Sequence, residues 1–178
     1  MRVIAGWLGG QNFDAPHGHR THPMSEKVRG ALFGVLGDIK GLTALDAFAG
    51  SGALAIEAIS RGAKSAVAIE ADKGAHSIIV SNIAKLGIED RMQAVKAYVG
   101  AWSTRHQNDQ FDLVFLDPPY DNIDYRELEN MPRHLNETGT LVLSFPGKMD
   151  RGNIPRFKNL QIVQQKDYGD IQLIFFQR

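Results

Sequence analysis

Residues 111–120 read FDLVFLDPPY, and this stretch decides how the rest of the chain is interpreted. The run from Phe111 to Leu116 is rich in aromatic and branched residues, which predicts a short strand buried on both faces within a parallel sheet. Asp117 follows at the carboxyl end of that strand, the edge at which open α/β sheets bind their ligands. Pro118 and Pro119 have no N–H group and stiffen the turn.

This motif predicts a pocket that is lined by hydrogen-bond acceptors and closed by an aromatic ring. Such a pocket suits an exocyclic amino group on a flat heteroaromatic ring, because its N–H groups need acceptors and its face needs a stacking partner. The Asp117 carboxylate and the carbonyl groups of the turn would be the acceptors, and Tyr120 the partner. The alternative is that the prolines only end a strand and that Asp117 is an ordinary loop carboxylate.

Outward from this strand the chain alternates between strands and helices, which indicates an α/β fold with a mostly parallel sheet. The predicted strands are 42–46, 65–70, 92–95, 111–116 and 140–145, and the predicted helices are 53–60, 73–86, 99–106 and 125–135, with a first helix from Ser25 to a stop at Gly37. The runs 160–166 and 171–176 predict an antiparallel hairpin at the sheet edge. Five strands and this hairpin give an expected seven-stranded sheet with helices on both faces.

Ahead of the first helix, residues 2–5 and 11–13 predict a small β-hairpin joined through glycines. Residues 15–23 are rich in proline and histidine and predict a surface loop. Its three histidines could alternatively hold a metal, but no regular element would bring them together, so no metal is expected. We expect residues 1–22 to form an extension and residues 23–178 the main domain.

The composition narrows the class of protein. A chain of 178 residues is the size of one domain, and it contains no cysteine, which excludes disulfides and thiolate chemistry. No run reaches membrane-spanning length and the first residues lack the apolar core of a signal peptide, so we expect a soluble cytoplasmic protein with no membrane partner. The formal net charge is zero, which leaves only local basic patches for binding nucleic acid.

A second motif, DAFAGSGALA at residues 46–55, is a glycine turn between a strand and its helix. Gly50 and Gly52 would allow a close backbone approach to a nucleoside, and Glu70, about 20 residues further on, could bind the two hydroxyls of a ribose. This context favours nucleoside binding over a plain tight turn. A dinucleotide also fits the glycine pattern, but only a nucleoside-bearing methyl donor explains the neighbouring acceptor pocket at Asp117.

Together these motifs resemble those of class I S-adenosylmethionine-dependent amino methyltransferases. More narrowly, the stretches RVIAG at 2–6, HPMSEKVR at 22–29 and ALF at 31–33 are similar to the bacterial 16S ribosomal RNA guanine-N2 methyltransferases, the RsmD family. The similarity runs from residue 2 to about residue 145 and implies a Rossmann-like class I methyltransferase fold. The cofactor it implies is S-adenosylmethionine. The residues it implies for cofactor binding are Asp46, Phe48, Gly50, Ser51, Gly52, Glu70, Ala71, Lys96, Ala97 and Asp117.

The resemblance also implies the reaction, a direct methyl transfer to the N2 amino group of a guanine in 16S ribosomal RNA, guanine 966 in that family. Asp117 and the Pro118 carbonyl would hold and orient the amino nitrogen, Pro119 would stiffen the turn and Tyr120 would stack on the base. The residues expected to bind RNA are Arg2, Arg20, His22, Lys27 and Arg29. Lys27 and Arg29 fall off the apolar stripe of the first helix, so both are expected to face outward. For Arg29 the alternative is a structural ion pair that holds the helix to the cofactor site.

Two positions depart from the family pattern: His22 stands where arginine is usual, and Lys96 where an acid or amide is usual. The expected partner is 16S ribosomal RNA in a small-subunit assembly intermediate, bound by a monomer. Two alternatives remain open. One is an amine methyltransferase on another substrate, DNA adenine or a protein amide, and the other is a non-catalytic RNA-binding assembly factor.

Overall fold

The computed structural model describes residues 1–16, 24–122, 124–147 and 154–178. The strands are β1 (Thr43–Asp46), β2 (Ser65–Glu70), β3 (Met92–Lys96), β4 (Phe111–Leu116), β5 (Leu135–Pro146), β6 (Gln161–Tyr168) and β7 (Ile171–Gln177). The α-helices are α1 (Glu26–Leu36), α2 (Ala53–Ser60), α3 (Lys73–Leu86), α4 (Val99–Arg105) and α5 (Tyr125–Glu129), with short 3-10 helices at Tyr120–Asn122 and Met131–His134. In this part of the chain no helix is both long and apolar enough to cross a membrane.

The seven strands form one sheet in the order β3-β2-β1-β4-β5-β7-β6. Strands β1 to β5 are parallel, and β7 runs antiparallel to both β5 and β6. The predicted sheet and its carboxyl-terminal antiparallel hairpin are therefore confirmed. From β1 the chain proceeds to β2 on one side, and from β4 to β5 on the other, so β1 and β4 flank the point where open α/β sheets form a ligand crevice.

The central strands are buried because helices cover both faces of the sheet. Along β4, Leu113 and Phe115 contact the core shared with α1, α2 and α3, whereas Val114 and Leu116 contact the core shared with α4 and α5. This period-two alternation between two apolar layers explains why the strand reads as a continuous apolar run. Asp117 follows it at the crevice.

Most elements lie within two residues of their predicted bounds, and two differ by more. The helix predicted over 125–135 ends at Glu129, and Met131–His134 forms a 3-10 helix instead. Pro132 cannot donate an N–H to the preceding turn, so a continuous α-helix is not possible there. Strand β5 begins at Leu135 instead of residue 140, and its register against β4 shifts between Phe111 and Leu113.

The predicted amino-terminal hairpin is present in reduced form, as a single antiparallel bridge between Arg2 and Asn12. Val3, Leu8 and Phe13 are almost fully buried and belong to the same core as α2. The segment therefore packs its apolar side chains into the main core, and backbone hydrogen bonds such as that from the Val3 N–H to the Gln11 carbonyl at 2.9 Å join its two halves. The proposed domain boundary after residue 22 lies outside the described residues.

The prediction that Arg29 faces outward is wrong, whereas Lys27 is exposed as expected. Arg29 has 0% exposure, and its Nη2 donates to the carbonyl of Arg2 at 2.6 Å. Its Nε lies 3.7 Å from Oε2 of Glu57 on α2, with which it forms a buried ion pair. The helical spacing of α1 points Arg29 toward α2. The carboxylate that neutralises its buried charge, that of Glu57, is distant in sequence.

Glu57 connects three parts of the chain. Its carboxylate accepts hydrogen bonds from the backbone N–H groups of Ile4 at 2.8 Å and Ala5 at 3.1 Å, and from Nε of Arg61 at 2.8 Å. The residue is 1% exposed, so these partners replace water almost completely. Glu57 therefore joins the amino-terminal segment to α1, through Arg29, and to α2.

We expect Glu57→Ala to lower the free energy of unfolding by about 3–5 kcal/mol, because it leaves the Arg29 charge buried without its counter-ion. Chemical denaturation followed by circular dichroism would measure the change. Lys27→Ala is the matched control, since an exposed side chain on α1 contributes within about 0.5 kcal/mol. Equal stability of the Glu57→Ala and Lys27→Ala variants would contradict this account.

Candidate active site

Three carboxylates gather at the carboxyl edge of the sheet. The register pairs Asp46 of β1 with Phe115 of β4 and with Ala68 of β2. Asp117 lies two residues beyond Phe115, and Glu70 lies two residues beyond Ala68, so parallel pairing brings all three acids to one edge. Asp117 and Glu70 are close enough for their charges to raise the pKa of Asp46.

Asp46 is a buried acid with an incomplete set of partners. It is 1% exposed, and its Oδ2 accepts a hydrogen bond from the Ala55 N–H at 3.2 Å. Its Oδ1 is buried and has no hydrogen-bond partner among the described residues. Burial, reinforced by the negative charges of Asp117 and Glu70, raises the pKa of Asp46 to about 7.

The glycine turn is fixed by Glu70. Oε2 of Glu70 accepts a hydrogen bond from the N–H of Gly50 at 2.8 Å, and Oε1 accepts one from the N–H of Asp72 at 2.8 Å. A Cβ added at Gly50 would meet nothing within 4 Å, so this side of the turn is open. A Cβ at Gly52, in contrast, would approach Ile79 at 3.3 Å, so the second glycine allows close packing against α3.

Asp117 is held by two hydroxyl groups that come from different elements. The hydroxyl groups of Tyr120 and of Ser144, on the neighbouring strand β5, both lower the pKa of Asp117 by hydrogen bonding. The Tyr120 hydroxyl also contacts the Ser144 hydroxyl. Because each hydroxyl has one proton, two protons are shared among the three side chains. Asp117 is only partly buried as a residue, yet burial of its carboxylate outweighs these hydrogen bonds and raises its pKa to about 6. Burial, together with the negative charge of Asp117, also raises the pKa of Tyr120.

The remaining predicted cofactor residues border the same edge. Phe48 and Ala97 are partly buried against the core on the α4 face of the sheet. Lys96 is exposed and pairs in register with Glu70, and the N–H of Ala97 donates to the Glu70 carbonyl at 3.1 Å. Ala71 follows Glu70 directly and is partly buried.

Ser51, also predicted to bind the cofactor, connects the glycine turn to two other parts of the chain. Its Oγ donates to Sδ of Met1 at 3.3 Å. Its carbonyl accepts a hydrogen bond from Nδ2 of Asn82 on α3 at 3.4 Å. The turn therefore adjoins the amino-terminal segment.

The predicted RNA-binding side chains do not form a cluster, among the described residues, of the kind that the three carboxylates form. Arg2 is exposed and pairs with Glu26 at 2.9 Å. Lys27 is exposed on the same helix as Glu26, and Arg29 is buried. Arg20 and His22 lie outside the described residues, as do the other histidines of the loop that could alternatively hold a metal. Within the described ranges no group of three His, Asp or Glu side chains could hold a metal ion.

Sequence reasoning missed Ser144. The signal was present, because Ser144 interrupts the apolar run LVLSF at 141–145, and a polar residue inside a buried strand needs a partner. That its partners are Asp117 and Tyr120 follows from the pairing of β4 with β5 and could not be obtained from spacing.

Comparisons with known proteins agree with this geometry. The family model described as Conserved hypothetical protein 95 matches residues 1–177. Ribosomal RNA small subunit methyltransferase D of Buchnera aphidicola is 34% identical over 119 residues, which cover 66% of this chain and 62% of that protein. The protein of the same name from Escherichia coli is 32% identical over 124 residues, covering 67% and 60%. The aligned part thus spans less than two thirds of these two relatives.

Solved structures extend the likeness to the whole chain. The structure of yhhF from Escherichia coli has a TM-score of 0.86 and 26% identity, and it covers 100% of this chain and 97% of its own. A conserved hypothetical protein of Streptococcus pyogenes has a TM-score of 0.72 and 34% identity, covering 83% and 93%. With the Rossmann-like sheet and the acidic site at its crevice, the chain belongs to the Conserved hypothetical protein 95 family, the RsmD-like family of S-adenosylmethionine-dependent methyltransferases.

Proposed function

We propose that this protein transfers a methyl group from S-adenosylmethionine to the exocyclic N2 amino group of a guanine in 16S ribosomal RNA. One observation carries the proposal: Asp117, together with the hydrogen-bonded hydroxyls of Tyr120 and Ser144, follows β4, and β4 pairs with β1, the strand that leads into the glycine turn. Family membership supports methyl transfer to ribosomal RNA as the broader activity. The choice of guanine N2 is argued from the chemistry of the site.

The residues at the crevice fit this cofactor. Asp46, Glu70 and Asp117 form an acidic surround that suits a positively charged ligand, and the buried Oδ1 of Asp46 lacks a partner among the described residues. The open side of Gly50 leaves room beside them. When bound, S-adenosylmethionine supplies an electrophilic methyl group on a positively charged sulfur. Glu70 would hold the ribose hydroxyls, since each of its oxygens keeps a lone pair beyond its backbone bond.

The task left to the protein is to orient a weak nucleophile. The lone pair of an exocyclic amino group is delocalised into the ring, and hydrogen bonds from its N–H groups to Asp117 and to the Pro118 carbonyl would localise that pair on nitrogen. The prolines fix the backbone of the turn, and Tyr120 would stack on the base and set its plane. Positioning and preorganised electrostatics therefore provide most of the acceleration.

The hydrogen-bond character of the pocket favours guanine over adenine. An ionised carboxylate only accepts hydrogen bonds, and guanine presents two adjacent donors, N1–H and the N2 amino group. Adenine presents an acceptor beside its amino group, which would need a donor. The two protons of the Ser144 and Tyr120 hydroxyls are already engaged among these side chains and Asp117, so neither is free for that purpose. The aligned Asp117 carboxylate also argues against the alternative of a non-catalytic RNA-binding assembly factor, because such a protein has no need for it.

We expect Glu70→Ala to weaken binding of S-adenosylmethionine by about 1–3 kcal/mol, because buried hydroxyls would lose their acceptor. Isothermal titration calorimetry measures this directly. Glu89→Ala, at an exposed site before β3, is the control and should bind as the wild type does. Unchanged affinity in the Glu70→Ala variant would refute the ribose assignment.

We expect Asp117→Ala to abolish methyl transfer while the affinity for S-adenosylmethionine stays within a few-fold of wild type, because the carboxylate serves the acceptor amine. In the wild type, the transfer rate should fall as the pH drops through about 6, since protonation turns the acceptor into a donor. Single-turnover transfer of labelled methyl groups to small-subunit particles measures both effects. Near-normal turnover of the variant, or a rate that is flat down to about pH 4.5, would contradict the acceptor role.

The proposed RNA face consists of Arg2 and Lys27, together with Arg20 and His22 of the loop. Arg29 is left out because it is buried. Removing residues 1–20 is not a test of this face, since it would also remove Val3, Leu8 and Phe13 from the core. With a net charge of zero the protein has no general attraction to phosphate, which favours a structured assembly particle in the cytoplasm over naked RNA as the substrate of a monomer.

We expect the double variant Arg2→Ala, Lys27→Ala to keep its affinity for S-adenosylmethionine but to bind small-subunit RNA more weakly. If each side chain contacts one phosphate, the slope of log K against log salt should become shallower by about two. Lys158→Ala with Lys166→Ala removes the same charge near β6, at the edge of the sheet, and is the control. Equal RNA binding by both double variants would place the RNA face elsewhere.

A further inference from the structure

Ser144 lies behind the candidate active site, on the strand that pairs with the one carrying Asp117. It is 2% exposed and is flanked in sequence by Leu143 and Phe145, which are also buried. A hydroxyl group in such a place is costly unless it is hydrogen-bonded. The partners of Ser144 are the Tyr120 hydroxyl and the Asp117 carboxylate.

Both partners belong to the motif that handles the acceptor base in the proposed function, on which this inference rests. Because Ser144 has almost no exposed surface, it acts through these two side chains and not on the substrate. We infer that Ser144 is a positioning residue: its hydroxyl holds the Asp117 carboxylate and the Tyr120 ring in the orientation in which they receive the amino group.

The prolines alone cannot provide this orientation. Pro118 and Pro119 fix backbone torsions, but the side-chain torsions of Asp117 and Tyr120 remain free to rotate. A hydroxyl that contacts both side chains restrains both torsions at once. The Ser144 hydroxyl also comes from β5 and not from the turn, so it anchors the side chains of Asp117 and Tyr120 to the rigid sheet.

The hydroxyl of Ser144 has an electrostatic effect that distinguishes this role from mere packing. Hydrogen bonds from Ser144 and Tyr120 lower the pKa of Asp117 and so oppose the effect of burial. Removing one donor therefore makes the carboxylate harder to ionise and moves the acid limb of the pH–rate profile to higher pH. A packing defect would lower the rate by the same factor at every pH.

The test compares Ser144→Ala with Ser144→Thr, which keeps the hydroxyl. Single-turnover methyl transfer to small-subunit particles is measured from about pH 5 to about pH 9, with calorimetry of S-adenosylmethionine binding on each variant. We expect Ser144→Ala to lose about tenfold in rate at neutral pH and to have its acid limb about one pH unit higher, with cofactor affinity unchanged. Ser144→Thr should restore the position of the acid limb.

Thr140→Ala is the matched control, because it removes a hydroxyl from the same strand four residues before Ser144, where that hydroxyl accepts a hydrogen bond from Gln177 and not from the site. It should leave the rate and the profile unchanged. If Ser144→Ala does not fold, Ser144→Cys carries the test, since it fills the volume with a weaker donor and should move the acid limb in the same direction.

A Ser144→Ala enzyme with the wild-type rate and pH profile would overturn the inference. So would a rate loss that is uniform in pH, or one that Ser144→Thr shares, because either points to packing. A wild-type protein that binds S-adenosylmethionine but methylates no particle would instead contradict the proposed function, and the inference with it.

Discussion

The parallel pairing of β1 with β4 is the contact on which the rest of the site depends. It joins two strands that are distant in sequence, with Ala44 opposite Leu113 and Asp46 opposite Phe115. The strand order reverses between them, so the loops that follow both strands open onto one crevice. A nucleoside on the glycine turn and a base against Asp117 would therefore be neighbours, which is the geometry that group transfer requires.

The pairing of β1 with β4 also brings the buried carboxyl groups of Asp46 and Asp117 to the same edge, and their raised pKa values make the stability depend on pH. The pKa of Asp46 is raised to about 7 and that of Asp117 to about 6, in both cases mainly by burial. A raised carboxyl pKa means that the folded protein binds more protons than the unfolded chain, so these groups lower the stability as the pH rises from about 4 through these values. A positively charged ligand would offset the cost of ionising these buried carboxyl groups, which a neutral counterpart would not do.

The sequence was sufficient where a local pattern has one physical solution. The short apolar run before Asp117-Pro118-Pro119 predicted a buried strand that ends at the carboxyl edge of the sheet, and the glycine pattern predicted the adjacent turn; both are present. The sequence was not sufficient where the environment of a side chain depends on a partner that is distant along the chain. Arg29 was expected to face outward, and although an ion pair was the alternative, only the position of Glu57 shows which carboxylate makes its burial possible. Ser144 could be recognised from the sequence as a polar residue in a buried strand, but its partners could not, because they depend on the pairing of β4 with β5.

The buried Arg29–Glu57 ion pair also bears on RNA binding. It suggests how a protein of zero net charge could bind RNA at a defined place. Glu57 binds the backbone of Ile4 and Ala5, and Arg29 binds the carbonyl of Arg2, so the backbone that carries the Arg2 side chain is fixed to the helices. On its other side the segment touches the glycine turn, where Met1 contacts Ser51. A phosphate held by Arg2 would thus lie at a fixed position relative to the crevice. On the proposed function, few basic residues would then suffice, because they would set the register of the substrate and would not need to attract it from a distance.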